Sequence, residues 1–161
     1  MGTINLSSFL NKGAVKQLQY SVVTSGDDTN SGVNAYADSG LSVRITPSSA
    51  SNKIVVEACF MLKQSGESIN CTGAKMQLVR TIDPDGSPSA TYLANGGYFD
   101  TNYSTATWTI KDDPSTVMYY DSPNTTSEIE YKIMHKPATS GTSLFYSNSS
   151  QPATIVAMEV S

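Results

Sequence analysis

Leu41–Lys63 reads L-S-V-R-I-T-P-S-S-A-S-N-K-I-V-V-E-A-C-F-M-L-K, and its two halves decide the fold. In the first half Leu41, Val43 and Ile45 alternate with Ser42, Arg44 and Thr46. A period of two puts the apolar set on one face, as a half-buried strand requires. Pro47 then lacks a ladder donor, and Ser48, Ser49, Ser51 and Asn52 carry short side chains that bond nearby backbone in turns. In the second half Ile54, Val56, Ala58, Phe60 and Leu62 share one parity, against Val55, Glu57, Cys59, Met61 and Lys63 on the other. One parity is fully apolar and the other half apolar. That predicts a central strand whose second face is partly covered, by another sheet or another subunit.

Outward from this hairpin the same period recurs. Ala14–Thr24 reads as a strand with Leu18, Tyr20 and Val22 on one face, and Ser25–Ser39 as a loop rich in Gly, Asp, Asn and Ser. Gln64–Gly73 is a second polar loop. Ala74–Ile82 follows as a strand, with Met76, Leu78, Arg80 and Ile82 on one parity and Val79 on the other. An arginine on an apolar parity sits at a rim or reaches a carboxylate. Asp83-Pro84-Asp85-Gly86 is a turn signal. Short strands are expected at Thr105–Ile110 and Thr116–Tyr120, around Asp112-Asp113-Pro114. Ser127–Lys136 alternates over a longer run, with Ile129, Tyr131, Ile133 and His135 facing one way and Glu128, Glu130, Lys132 and Lys136 the other. Ser143–Tyr146 and Ala153–Val160 close the chain. Nothing repeats at i, i+3, i+4, i+7 with caps. About eight or nine short strands punctuated by turns predict an all-β fold, an antiparallel two-sheet β-sandwich of jelly-roll type. The expected organisation is a segment 1–13 followed by one sandwich domain, 14–161.

The bulk composition excludes several classes. Of 161 residues only 15% are charged, and Ser and Thr make up about a quarter, a balance that suits strands and tight turns better than helices. The net charge is −4 and the ten basic residues are scattered, so no nucleic-acid footprint is expected. No apolar run approaches the ~18 residues of a membrane helix, and no secretory signal opens the chain. The two cysteines, Cys59 and Cys71, leave a disulfide or free thiols open.

Chemistry-bearing clusters are sparse. His135, the one histidine, lies on the apolar parity of a strand and reads as structural. There is no G-x-S-x-G elbow, C-x-x-C or H-x-x-x-H. Asp83 and Asp85 lack the later ligands of a calcium loop. Glu128 and Glu130 share a face with Lys132, which describes a solvated charged face rather than a glycosidase pair. No catalytic residue, cofactor or metal is expected.

Two stretches could make contacts. Tyr92–Trp108 gathers Tyr92, Tyr98, Phe99, Tyr103 and Trp108 among amides and hydroxyls, which suits core roofing, a subunit contact or stacking on a glycan. Ile4, Leu6, Phe9 and Leu10 in the first thirteen residues are too few for a core. They suit an anchor on a neighbouring protein, at roughly 1.5–3 kcal/mol per large apolar side chain buried.

The run Gly40–Val56, G-L-S-V-R-I-T-P-S-S-A-S-N-K-I-V-V, resembles a segment common in tail-fibre, head-fibre and related virion domains of bacteriophages. L-V-R-T at Leu78–Thr81, Y-Y-D-S-P-N-T-T-S with Y-K-I across Tyr119–Ile133, and T-I-V-A-M-E-V at Thr154–Val160 match the same family. Together they span roughly Val15 to Val160. The resemblance implies a non-enzymatic virion structural protein: a head or tail fibre, or a capsid decoration subunit, assembled in the host cytoplasm. It implies a homotrimer, which would bury Val55, Cys59 and Met61, and partners among the capsid, neck or tail proteins. The alternative is a lectin-like receptor-binding module that takes host surface glycan on the 92–108 loop.

Overall fold

A computed structural model of the chain describes residues 15–30, 34–65, 74–96, 111–137 and 142–161. Apart from Thr105–Ile110, the expected strands are present, most within a few residues of their predicted bounds. They are β1 (Val15–Val23), β2 (Gly26–Asn30), β3 (Ala37–Ile45), β4 (Lys53–Ser65), β5 (Ala74–Ile82), β6 (Ser89–Gly96), β7 (Lys111–Asp121), β8 (Ile129–Pro137), β9 (Thr142–Ser147) and β10 (Ala153–Val160). Among the described residues there is no helix.

All pairings are antiparallel, and they form two sheets. In the first, β4 is central, with β7 on one side and β10 and β9 in succession on the other; β1 and β2 complete the outside. As the chain runs from Val15 to Asn30, its partner runs back from Val160 to Ser143. β1–β2 and β9–β10 are therefore two broken strands. The break in the second is a small turn: Asn148 and Gln151 exchange backbone hydrogen bonds, and the Asn148 side chain accepts from the Ser150 and Gln151 amides. The second sheet has the order β3-β8-β5-β6.

With each broken strand counted once, eight strand positions remain, and they pair first with last, second with seventh, third with sixth and fourth with fifth. That is a long hairpin rolled into two layers, the jelly roll. The core lies between the layers. Leu41, Val43, Ile45, Leu78, Ile129, Tyr131 and Ile133 face Ile54, Val56, Phe60, Phe145 and Ile155, all at most 4% exposed.

Several expectations change. Ser25–Ser39 is not one loop, because β2 pairs with β9 there and β3 begins at Ala37. Its Asp and Asn residues carry no strand signal, and tertiary pairing overrides them. The strand expected at Thr116–Tyr120 begins earlier, because β7 runs straight through Asp112-Asp113-Pro114 opposite Met61–Lys63. Among the described residues β7 pairs only with β4, and such an edge strand tolerates a proline whose missing donor would face outward. Residues 92–96 are strand rather than loop, paired to β5. Thr105–Ile110 lies outside the described residues.

Two local features set the edges of the sandwich. In β3 an irregularity between Asp38 and Ser42 places extra residues opposite β8. Gly40 takes φ +72 there, and the Ser39 hydroxyl donates to the Ile133 carbonyl at 2.6 Å. Asp83–Gly86 forms the expected turn, closed by the Gly86 amide on the Asp83 carbonyl at 3.1 Å.

Candidate functional site: the outer face of the first sheet

The face of β4 that points away from the core carries Lys53, Val55, Glu57, Cys59 and Met61. The ladders extend it sideways into rows. One row is Leu18–Met158–Val55–Tyr120, the next Tyr20–Val156–Glu57–Met118, and the next Val22–Thr154–Cys59–Thr116. On the other side of the first lies Val15–Val160–Lys53. Leu18 is 50% exposed, Tyr20 70%, Val22 46%, Met118 70% and Tyr120 62%. Scattered exposed hydrophobes need no explanation, but a contiguous apolar field crossing four strands marks an interaction surface.

β1 sharpens the point. Its apolar parity, Leu18, Tyr20 and Val22, faces outward, while Gln17 on the opposite parity reaches the buried Glu159. A strand amphipathic in the inverted sense loses free energy in an isolated sandwich and recovers it when its outer face is covered.

The outer face of the second sheet has the opposite character. Arg44 bonds Asp85 at 2.6 and 3.1 Å and Glu128 at 3.2 Å, and approaches Glu130 at 3.6 Å. The hydrogen bond from Arg44 holds the Asp85 carboxyl below its usual range. Lys132 pairs with Asp38 at 2.8 Å, and the Lys136 ammonium lies 4.7 Å from the Tyr36 ring centre. This is the solvated charged face expected of Glu128, Glu130 and Lys132.

Two polar clusters are centred on buried carboxylates, those of Asp121 and Glu159. Arg80 does reach a carboxylate: its guanidinium bonds Asp121 of the other sheet at 2.7 and 3.0 Å. The Tyr131 hydroxyl donates to the same carboxylate at 2.7 Å, and the Ser122 amide donates at 2.8 Å. Burial, reinforced by the hydrogen bond to Asp121, pushes the Tyr131 phenol far above its usual range. In the second cluster the fully buried Glu159 accepts from the Ser48 amide and hydroxyl, both at 2.8 Å, from Asn52 at 2.7 Å and from Gln17 at 2.7 Å. Burial opposes its charge. The hydrogen bonds, led by Asn52, outweigh burial and hold the pKa down to about 2 from 4.5. A depressed carboxylate stabilises the fold above its unfolded-state value, and that contribution is lost as pH falls through the folded one.

These clusters join residues from distant parts of the chain. Ser48 and Asn52 of the Gly40–Val56 run clamp Glu159 of the closing segment. Arg80 of L-V-R-T, Asp121 of Y-Y-D-S and Tyr131 of Y-K-I form the other clamp. Their role is to tie sheet to sheet and turn to strand. Periodicity flagged Arg80 as an arginine that sits at a rim or reaches a carboxylate without naming Asp121, and it gave no sign of the Glu159 cluster, whose donors come from distant parts of the chain.

Of the residues expected to make contacts, Tyr92 is described: it stands on β6 opposite Val79, 68% exposed. Tyr98, Phe99, Tyr103 and Trp108 lie outside the described residues, as do Ile4, Leu6, Phe9 and Leu10. Cys59 is a free thiol on the outer face, exposed in the single chain; Cys71 lies outside the described residues. His135 is fully buried, its ring 6.2 Å from that of Phe145. Among the described residues no three His, Cys, Asp or Glu side chains are grouped to hold a metal ion.

No protein-family model matches the chain, and no curated protein matches it. Among solved structures it is similar to a D431N mutant of the VP2 protein of infectious bursal disease virus in derived T=1 particles, at 12% identity and a TM-score of 0.42, over 91% of this chain and 37% of that one. A structure of the Gx strain of the same virus is similar at 13% identity and a TM-score of 0.41, over 91% of this chain and 38% of that one. A VP2 subviral particle is similar at 12% identity and a TM-score of 0.36, over 91% and 38%. The chain thus spans under two-fifths of the length of these viral chains.

Proposed function

We propose that this chain is a non-enzymatic structural protein of a bacteriophage virion, a head-fibre, tail-fibre or capsid-decoration subunit built into the particle in more than one copy. The observation that carries the reading is the contrast between the two outer faces. One is ion-paired and suited to water; the other is an apolar field whose edge strand turns its hydrophobes outward. A solitary soluble domain gains nothing from such a face, whereas a packed subunit does. The jelly roll is a fold used by viral capsid and lectin domains among others, so it is compatible with the reading without selecting it. The resemblance of four segments of the sequence to phage virion domains supports it further. Residues 1–13, with Ile4, Leu6, Phe9 and Leu10, would mount the domain on a neighbouring capsid, neck or tail protein.

The test is immunogold labelling of purified phage particles with antibody to this chain, alongside mass spectrometry of the same particles. Gold at one fixed location, with the chain present in stoichiometric amount, is the expected result. A chain found only in the infected-cell extract and absent from particles overturns the proposal.

A further inference from the structure

We infer that the outer face of the first sheet binds a second copy of itself about a two-fold axis lying along the row Leu18–Met158–Val55–Tyr120; this rests on the reading of that face as an assembly surface. The charges decide the partner and its orientation. The field holds one acidic residue, Glu57, one row to one side of that axis, and one basic residue of β4, Lys53, one row to the other side. Four residues of extended strand separate them by about 13 Å, and among the described residues neither makes an ion pair within its own chain. Buried alone under an apolar partner, each charge would be costly. The two-fold lays each Glu57 against the partner copy's Lys53, twice per pair, while the axial row packs on itself. Tyr20 then covers Val15, and Val156 covers Val160.

The geometry is that of ordinary sheet packing. Each strand lies antiparallel on its own counterpart, within the roughly 30° and about 10 Å of aligned sheets. Four strands about 4.8 Å apart and four rows about 6.7 Å apart give a field of roughly 19 by 27 Å. That is about 500 Å² in projection, which side-chain relief raises toward the ~800 Å² per partner of a stable interface. A three-fold parallel to the strands would instead keep every residue at its own height and bring Glu57 toward Glu57. The charge pattern therefore selects a pair over the trimer that the sequence resemblance implies.

The test is sedimentation equilibrium of the full chain and its charge variants. The wild type is expected to form a dimer at micromolar concentration. Glu57→Lys and Lys53→Glu, each alone, place like charges in contact twice and raise the dissociation constant roughly tenfold or more. The double variant Glu57→Lys/Lys53→Glu restores wild-type affinity, and so does mixing the two single variants. An oligomer with no such rescue, or a trimer, overturns the two-fold register and leaves assembly through the face standing. A wild-type chain monomeric throughout overturns both the pair and the assembly role of the face, which the particle-labelling result decides separately for the virion.

Discussion

Ile54→Asp is expected to leave no soluble folded chain. Ile54 is fully buried at the start of the central strand. In register it stands between Glu159 of β10 and Asp121 of β7, all three side chains pointing between the sheets. An aspartate there loses the apolar contacts, at about 2–5 kcal/mol for a large aliphatic side chain. It also adds a carboxylate to a layer that already holds two, with Cβ atoms only about 5 Å apart across each ladder. An unpaired buried charge costs several kcal/mol more, so the sum, upward of about 5 kcal/mol, is comparable to the whole stability of a domain this size. Val55→Asp, one residue on, is the control. It points to the outer face and should fold normally while losing self-association. Far-UV circular dichroism and urea titration distinguish the two, and near-native stability of Ile54→Asp would refute the assignment of inner and outer parity.

The second large effect is expected at the inter-sheet clamp. Asp121→Leu keeps the branched heavy-atom skeleton but strips the acceptor from Arg80, Tyr131 and the Ser122 amide at once. The mostly buried guanidinium, 14% exposed, is left without its counter-charge, a change worth up to about 3–5 kcal/mol. For a chain of this length that lowers the melting temperature by roughly 6–20 °C. Tyr131→Phe removes one neutral donor from the same carboxylate and should cost about 1–2 kcal/mol. The pair Arg80→Met/Asp121→Leu should recover much of the loss, since replacing both charges with apolar groups removes the orphan. A single Asp121→Leu within about 1 kcal/mol of wild type would show that the clamp does not hold the layers together.

The core was legible because strand parity sorts side chains in pairs of faces. Leu41, Val43, Ile45, Ile54, Phe60, Ile129, Tyr131 and Ile133 all sit where alternation puts them. Parity says which residues share a face but not which face turns inward. β1 shows the difference: Leu18, Tyr20 and Val22 group as read, yet it is the polar parity that meets the buried Glu159. The half-apolar second face of β4 was the better clue, and its neighbours in the rows, Met118, Tyr120, Val156 and Met158, come from distant parts of the chain. The partners in the clamps were illegible for the same reason: parity marked Arg80 as out of place, but Arg80 to Asp121 and Ser48 to Glu159 are long-range pairings that no local period encodes. β2 and the proline-bearing start of β7 were missed because edge pairing supplies what their residues do not.

The most direct test of the account is hydroxyl-radical footprinting of the chain when dilute and when assembled, read residue by residue by mass spectrometry. Tyr20, Met118 and Tyr120 should react freely in the dilute chain and become protected on assembly, while Tyr92, on the opposite sheet, should stay equally reactive in both. Unchanged reactivity of Tyr20, Met118 and Tyr120 in the assembled state would contradict the claim that this face is where copies meet.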